Sequence, residues 1–187
     1  MLKKLENEIL TDRAVLIWGC VLCIAALLLM EYSPWGSRAL EQYNGGYGTF
    51  DMKSYNADTV YRILHGMMPE GFRIYELYFI MDFLFVIGYG IVQIRLLNFF
   101  YRDYRHNIAV RFAYWIPAAR AVFDTAENII ILVLLISYPA ELRGLVAVSS
   151  AATFLKLKAI ILWSLFIAAG ILVKITVRVK KQRVNES

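Results

Sequence analysis

Charged residues and metal-binding side chains are both scarce in this sequence. Asp, Glu, Lys and Arg make up only 19% of the chain and hydrophobic residues 59%, a balance that excludes an ordinary soluble domain. Cys20 and Cys23 would need two further ligands to hold a metal, and His65 and His106 are predicted to lie on opposite sides of a membrane. We therefore expect no metal and no cofactor, and we interpret the cysteines as packing residues. A phosphate loop, a nucleophile elbow and an internal repeat are also absent.

Four apolar stretches are long enough to cross a bilayer as helices, which takes about 20 residues. They are predicted at residues 14–32, 76–97, 112–137 and 146–173. Their apolar residues run continuously instead of alternating, and this excludes membrane-spanning strands. The sequence therefore predicts an all-α membrane protein in which residues 1–187 form one four-transmembrane-helix bundle.

Basic residues are distributed unequally between the predicted connections. Twelve of them lie before the first span, between the second and third spans, or after the fourth span: Lys3, Lys4, Arg13, Arg95, Arg102, Arg105, Arg111, Lys174, Arg178, Lys180, Lys181 and Arg183. By the positive-inside rule these residues and both termini are cytoplasmic, and we predict a multi-pass protein of a cell inner (plasma) membrane. Topology and contact with membrane lipids account for the net charge of +5, so no nucleic-acid partner is expected.

The connection between the first and second spans is predicted to fold. It runs over residues 33–75, here called the cap, and is too long for a simple link, so we expect it to cover the external entrance of the bundle. Its first half, with the string N-G-G-Y-G, is typical of an irregular loop. Its second half predicts a short helix at 57–65, with Asn56 or Asp58 near the start and Gly66 beyond the end. The alternative is a loop at membrane level without a role in binding.

The third span carries ionisable residues that hydrocarbon would penalise. Arg120, Asp124, Glu127 and Asn128 share one helical face. Each ionisable group costs about 2.5–3.5 kcal/mol in a span, so this face is predicted to meet protein or a cavity. Polar and aromatic residues of the second and fourth spans are expected near the same axis: Tyr75, Tyr78, Asp82, Tyr89, Lys156 and Trp163.

These residues form a candidate intramembrane site. Asp82, Asp124 and Glu127 are the candidate catalytic acids, and Glu127 is predicted to hold a proton while Arg120 keeps Asp124 ionised, unless Lys156 reaches Glu127. The other members are candidates for ligand binding: Asn128, Arg120, Lys156, Tyr75, Tyr78, Tyr89 and Trp163.

Three functions fit this pattern. The first is a pocket for a hydrophobic small molecule, an amphiphile or lipid-like ligand, with or without proton transfer. The second is a structural protein or complex subunit with an ion-paired core that pairs Arg120 with Asp124 and Lys156 with either Glu127 or Asp82. The third is a proton- or cation-coupled transporter, in which Pro117 would kink the third span and a homo-oligomer would supply symmetry.

Two strings also carry a resemblance. G-F-R-I-Y-E-L-Y-F-I-M-D and R-A-V-F-D-T-A-E-N, with the short cap helix and the lysine of the last span, resemble small bacterial four-span inner-membrane proteins of unassigned activity over residues 55–165. More remotely, buried Asp, Glu and Asn in four spans resemble the emopamil-binding and sigma-2-receptor class, which implies a cavity for sterol-like amphiphiles. The long first connection and the lack of an intramembrane histidine depart from that class and argue against sterol isomerase activity.

The predicted orientation can be tested by cysteine labelling of intact cells. Gly46→Cys should react with a membrane-impermeant thiol reagent from outside, because it lies in the external cap, whereas Gln182→Cys should react only after the cells are opened. The reverse pattern would show that the orientation is inverted.

Overall fold

The computed structural model describes residues 2–51 and 53–185, with side chains described at 13–51, 53–179 and 182. Within these ranges the chain is helical and contains no strand. The helices are α1 (Leu2–Tyr32), α2 (Ser37–Glu41), α3 (Ala57–Gly66), α4 (Pro69–Tyr101), α5 (Ile108–Ala113), α6 (Ile116–Ser137) and α7 (Arg143–Asn185), with a 3-10 turn at Arg102–Tyr104. Part of the predicted orientation rests on side chains outside the described ones, those of Lys3, Lys4, Lys180, Lys181 and Arg183.

Three regions of the described chain are long and apolar enough to cross a membrane. They are Arg13–Glu41, Pro69–Tyr104 and Arg143–Val179, and they contain the first, second and fourth predicted spans. The chain is therefore a multi-pass membrane protein, whereas its compartment and orientation stay predictions. The predicted third span does not qualify on composition, because α6 carries Arg120, Asp124 and Glu127.

Proline sets the start of two of these helices. Pro69 and Pro117 lie in the first turns of α4 and α6, where a missing N–H costs nothing. The predicted third span, residues 112–137, is interrupted by a turn at Tyr114 and Trp115, just before Pro117. The residues before it form the separate helix α5, capped by the Asn107 side chain, which accepts a hydrogen bond from Ala109 N at 2.8 Å.

Helix α4 is the centre of the bundle. In its most apolar window 44% of residues are buried, against 17% for the region containing α1 and 6% for that containing α7. Helix α1 packs mainly along α4, and α6 packs mainly along α7. At Gly88 a Cβ would lie 2.8 Å from the backbone N of Cys23, so the close approach of α1 and α4 depends on glycine. Both cysteines are free thiols.

The cap folds onto one end of the bundle. Its second half forms α3, confirming the predicted short helix, and the Asn56 side chain caps it by accepting from Thr59 N at 2.9 Å. Its first half contains α2, which the glycine-rich composition did not predict. The largest buried apolar cluster joins the cap to α4, α6 and the start of α7. Residues 69–75, predicted as the end of the cap, belong to α4.

A tight turn in the cap directs the following residues inward. The Asn44 amide donates to Gly48 O at 2.6 Å, and its oxygen accepts from the backbone N–H of Tyr47 and Gly48. Gly48 has a φ of 73°, a conformation that favours glycine. Phe50 is then buried, and its N–H donates to the Tyr75 hydroxyl at 2.7 Å. This contact places the next residue, Asp51, against the bundle.

The α1–α4 contact gives a matched pair of substitutions. Gly88→Ala should destabilise the protein by about 1–3 kcal/mol, because the new methyl group meets the backbone of α1. Gly90→Ala, on the same helix with nothing within 4 Å of its new Cβ, should not destabilise the protein and should gain up to about 1 kcal/mol from helix propensity. Thermal unfolding in a non-ionic detergent measures both, and equal melting temperatures would contradict the tight contact.

Candidate functional site

Lys156 of α7 lies at the centre of three carboxylates. The side chain is 2% exposed, and its ammonium donates to Asp124 Oδ1 at 2.9 Å and to Asp51 of the cap. It also forms an ion pair with Glu127 Oε2 at 2.6 Å. An ammonium has three N–H groups, so the number of carboxylates equals the number of donors. We call Lys156, Asp51, Asp124 and Glu127 the lysine cluster.

The cluster joins three parts of the chain. Asp124 and Glu127 lie on one face of α6 because they are three residues apart, and Lys156 reaches that face from the neighbouring α7. Asp51 arrives from the cap, next to the buried Phe50. Taking these charges out of water is costly unless they are paired, so the four positions depend on one another.

Hydroxyl groups hold the second oxygen of Glu127. Thr153 Oγ1 donates to Glu127 Oε1 at 2.5 Å, and the Tyr55 hydroxyl lies 3.3 Å from the same oxygen. The Tyr55 hydroxyl also lies 2.8 Å from Ser149 Oγ. Burial raises the pKa of Tyr55 to about 12, and the charge of Glu127 adds to this effect, so Tyr55 remains a neutral donor. Glu127 itself is fully buried.

A separate pair links α6 to α4. Asn128 Nδ2 donates to Asp82 Oδ2 at 2.5 Å, and both side chains are buried. Of the two acids predicted as alternatives for Lys156, Glu127 forms the ion pair and Asp82 bonds Asn128 instead. Asn128 thus bonds across two helices, as the ion-paired-core hypothesis expected.

The predicted ion pair between Arg120 and Asp124 is wrong. Asp124 Oδ2 accepts from the Tyr89 hydroxyl at 2.8 Å, and Oδ1 accepts from Lys156. The Arg120 guanidinium lies instead over the ring of Tyr89, with its central carbon 3.4 Å from the ring centroid. The Tyr89 hydroxyl therefore bonds Asp124, while the face of the Tyr89 ring contacts Arg120.

A cavity of about 530 Å³ adjoins the cluster between α1, α4, α6 and the cap. Its volume lies within the range of small-molecule sites, roughly 300–1,000 Å³. Its wall contains polar and charged residues: Glu31, Ser37, Thr49, Asp51, Arg120, Asp124 and Lys156. It also contains apolar and aromatic residues: Leu27, Leu28, Met30, Tyr32, Tyr78 and Phe85. The cavity wall therefore offers both a polar and an apolar surface.

Several residues predicted to bind a ligand lie away from this cavity. Tyr75 holds the cap backbone through Phe50, and Trp163 Nε1 lies 3.4 Å from Gln93 O in a second core cluster. Tyr89 lies beneath Arg120 and does not line the cavity. Glu127, Asn128 and Asp82 also do not line it. Of the predicted site residues, the cavity is lined by Tyr78, Arg120, Asp124 and Lys156.

Several polar residues of the site were not predicted from the sequence, among them Thr49, Asp51, Tyr55 and Ser149. Thr49, Asp51 and Tyr55 belong to cap segments without helical periodicity, so no spacing pattern pointed to them. Ser149 was detectable, because it precedes Thr153 by four residues and shares a helical face with Thr153 and Lys156. The helical spacing from Lys156 back through Thr153 leads to Ser149.

The three carboxylates of the cluster are also spaced as metal ligands. One oxygen from each of Asp51, Asp124 and Glu127 lies within 4.8 Å of the others. The Lys156 ammonium bonds all three, so it supplies the positive charge that a metal ion would bring.

Comparison of the chain with protein-family models, curated proteins and solved structures finds no match. The two resemblances therefore stay predictions.

Removing the central cation should destabilise the bundle. Lys156→Met leaves the buried Asp124 and Glu127 and the half-buried Asp51 without their counter-charge, and loss of one partner from a buried ion pair costs about 3–5 kcal/mol. Lys158→Met on the same helix removes an exposed lysine that lies over the Phe154 ring, and it should cost less than about 1 kcal/mol. Thermal unfolding in detergent measures both variants.

Low pH provides a further check on the same variant. Protonation neutralises the carboxylates that Lys156→Met leaves unpaired, so the difference from the wild type should shrink as the pH falls. A Lys156→Met variant as stable as Lys158→Met at neutral pH would show that the cluster is not a stabilising centre.

Proposed function

We propose that this protein is a four-span membrane protein that binds one small amphiphile in the cavity beside the lysine cluster. The observation that carries the proposal is the wall of that cavity, which combines fixed charges at Asp51, Arg120, Asp124 and Lys156 with an apolar surface from α1 and α4. A molecule with one polar end and one apolar end satisfies both surfaces.

The outward face of α6 supports its assignment as the third of the four spans. Its 22 residues extend about 33 Å at 1.5 Å per residue, close to the roughly 30 Å of a hydrocarbon core. Exposed residues of this helix are apolar at Val122, Ile129, Val133 and Ile136. Its acids and Asn128 are buried against α4, α7 and the cap. Lipid would therefore contact only apolar side chains along much of the helix.

The position of α1 supports entry of the ligand into the cavity from the membrane. In the described part of the chain, α1 packs along α4 and not along α6, although both line the cavity. Leu27 and Leu28, which line it from α1, are 46% and 55% exposed. The cavity is therefore bordered by the lipid-facing surface of the bundle, which suits a ligand that arrives from the bilayer.

We propose that the cavity binds an amphiphile, and we assign no reaction to it. The proton-transfer hypothesis placed a proton on Glu127, which is fully buried, paired with Lys156 and absent from the cavity wall. Proton transfer to a ligand requires a group within hydrogen-bond reach of it. Asp124 and Asp51 are the cluster acids that face the cavity, and both bond Lys156.

The competing function is a purely structural ion-paired core. The bonds from Lys156 to α6 and to the cap favour it, because they would hold these segments together with or without a ligand. The two functions differ in whether the cavity is occupied, and this difference can be measured.

A cavity-filling substitution separates the two functions. Leu28→Trp enlarges a residue of the cavity wall, whereas Ile24→Trp enlarges an exposed residue one turn earlier on the same helix. We expect extraction and mass spectrometry of the purified protein to find one amphiphile per chain in the wild type and in Ile24→Trp, and much less in Leu28→Trp. Equal lipid content in all three proteins would favour the structural core.

A further inference from the structure

We propose that the amphiphile carries an anionic headgroup, and that Arg120 is the residue that binds it. This inference rests on the proposed function and adds the chemical class of the ligand. It follows from the bonds that each charged group in the cavity wall already makes.

Lys156 is not available to a ligand anion. Its ammonium donates hydrogen bonds to Asp51 and Asp124, and it forms a third ion pair with Glu127 Oε2 at 2.6 Å. An anion would have to displace one of these carboxylates.

Each acid of the cavity wall already has a basic partner. Both oxygens of Asp124 accept hydrogen bonds, one from Lys156 and the other from Tyr89. Asp51 bonds Lys156, and Glu31, which also lines the cavity, pairs with Arg38 at 2.8 Å. A cationic headgroup would therefore compete with a bound lysine or arginine for each of these acids.

Arg120 differs from all of these groups. Among the described residues that line the cavity, it is the one charged side chain without an ion-pair partner. Its Nε is buried and has no hydrogen-bond partner among the described atoms. A guanidinium has five N–H donors, and a cation at this depth is costly without a counter-charge.

Tyr89 holds the guanidinium in position without using its donors. The contact is through the ring face, 3.4 Å from the guanidinium carbon, and the Tyr89 hydroxyl is itself held by Asp124. Stacking on the ring leaves the N–H groups in the plane of the guanidinium free to bond an anion. A planar fork of this kind binds carboxylate and phosphate groups through two parallel hydrogen bonds.

The shared chemistry is thus an oxyanion on an apolar chain. A fatty-acid carboxylate and a lipid phosphate both have it, and two probes with the same chain distinguish them: dodecanoate and dodecyl phosphate. Dodecanol and dodecylamine are the neutral and cationic controls. Purified protein in a non-ionic detergent is titrated with each probe, and the shift in melting temperature gives the half-saturating concentration.

We expect the anionic probes to bind the wild type more tightly than dodecanol or dodecylamine. Arg120→Gln should raise the half-saturating concentration of the preferred anion about tenfold to a hundredfold, the loss expected for charge-assisted hydrogen bonds. Arg120→Lys keeps the charge but not the fork, so it should bind with intermediate affinity and provides a test if the glutamine variant does not fold. Arg111→Gln makes the same change at an exposed position and should bind as the wild type does.

Different results would overturn the inference and the proposed function. Unchanged binding of both anions to Arg120→Gln, or binding of dodecylamine as tight as that of dodecyl phosphate, would overturn the role of Arg120. If Leu28→Trp still weakens the binding of these probes, the cavity remains the binding site even though Arg120 does not bind the headgroup. The proposed function requires at least one probe to shift the melting temperature of the wild type and not that of Leu28→Trp. If no probe does so, the proposed function fails and the inference fails with it.

Discussion

The ion pairs of Lys156 are the interaction on which the rest of the structure depends. An ammonium and three carboxylates are costly to bury separately, and they are tolerable inside a membrane protein only because they neutralise one another. Two of the acids come from α6 and one from the cap, so the lysine holds both segments against α7. The apolar core between the cap and the bundle then excludes water from the same region.

The same constraint explains the character of the cavity. Because Lys156 and Tyr89 occupy the oxygens of Asp124, Arg120 does not bond its neighbour one turn away and rests on an aromatic face. The cavity is left with bonded acids and one cation that has unused donors. The proposed preference for an anion therefore follows from which charges the fold has already paired, whereas a simple count of acids and bases would suggest a cation.

Helix α6 shows how a charged segment fits into such a bundle. Its polar residues lie against α4, α7 and the cap, while Val122, Ile129 and Ile136 are exposed on the outside. Hydropathy averages the two faces together, so the helix does not qualify as an apolar span on composition. The two faces taken separately are consistent with the proposal that α6 is a further span.

The sequence by itself determined the features that depend on local order. Continuous apolar length predicts three of the spans that the structure shows, and the spacing of Asp124, Glu127 and Asn128 predicts their shared face. The short helix α3 follows from residues within a few positions of it. Tertiary structure decided the rest, because the partner of a charge depends on which distant groups the fold brings within bonding distance. Asp51 reaches Lys156 only through the fold of the cap, and Arg120 loses Asp124 to groups on two other helices. Neither outcome is encoded in spacing along one helix, since each requires the relative placement of separate segments.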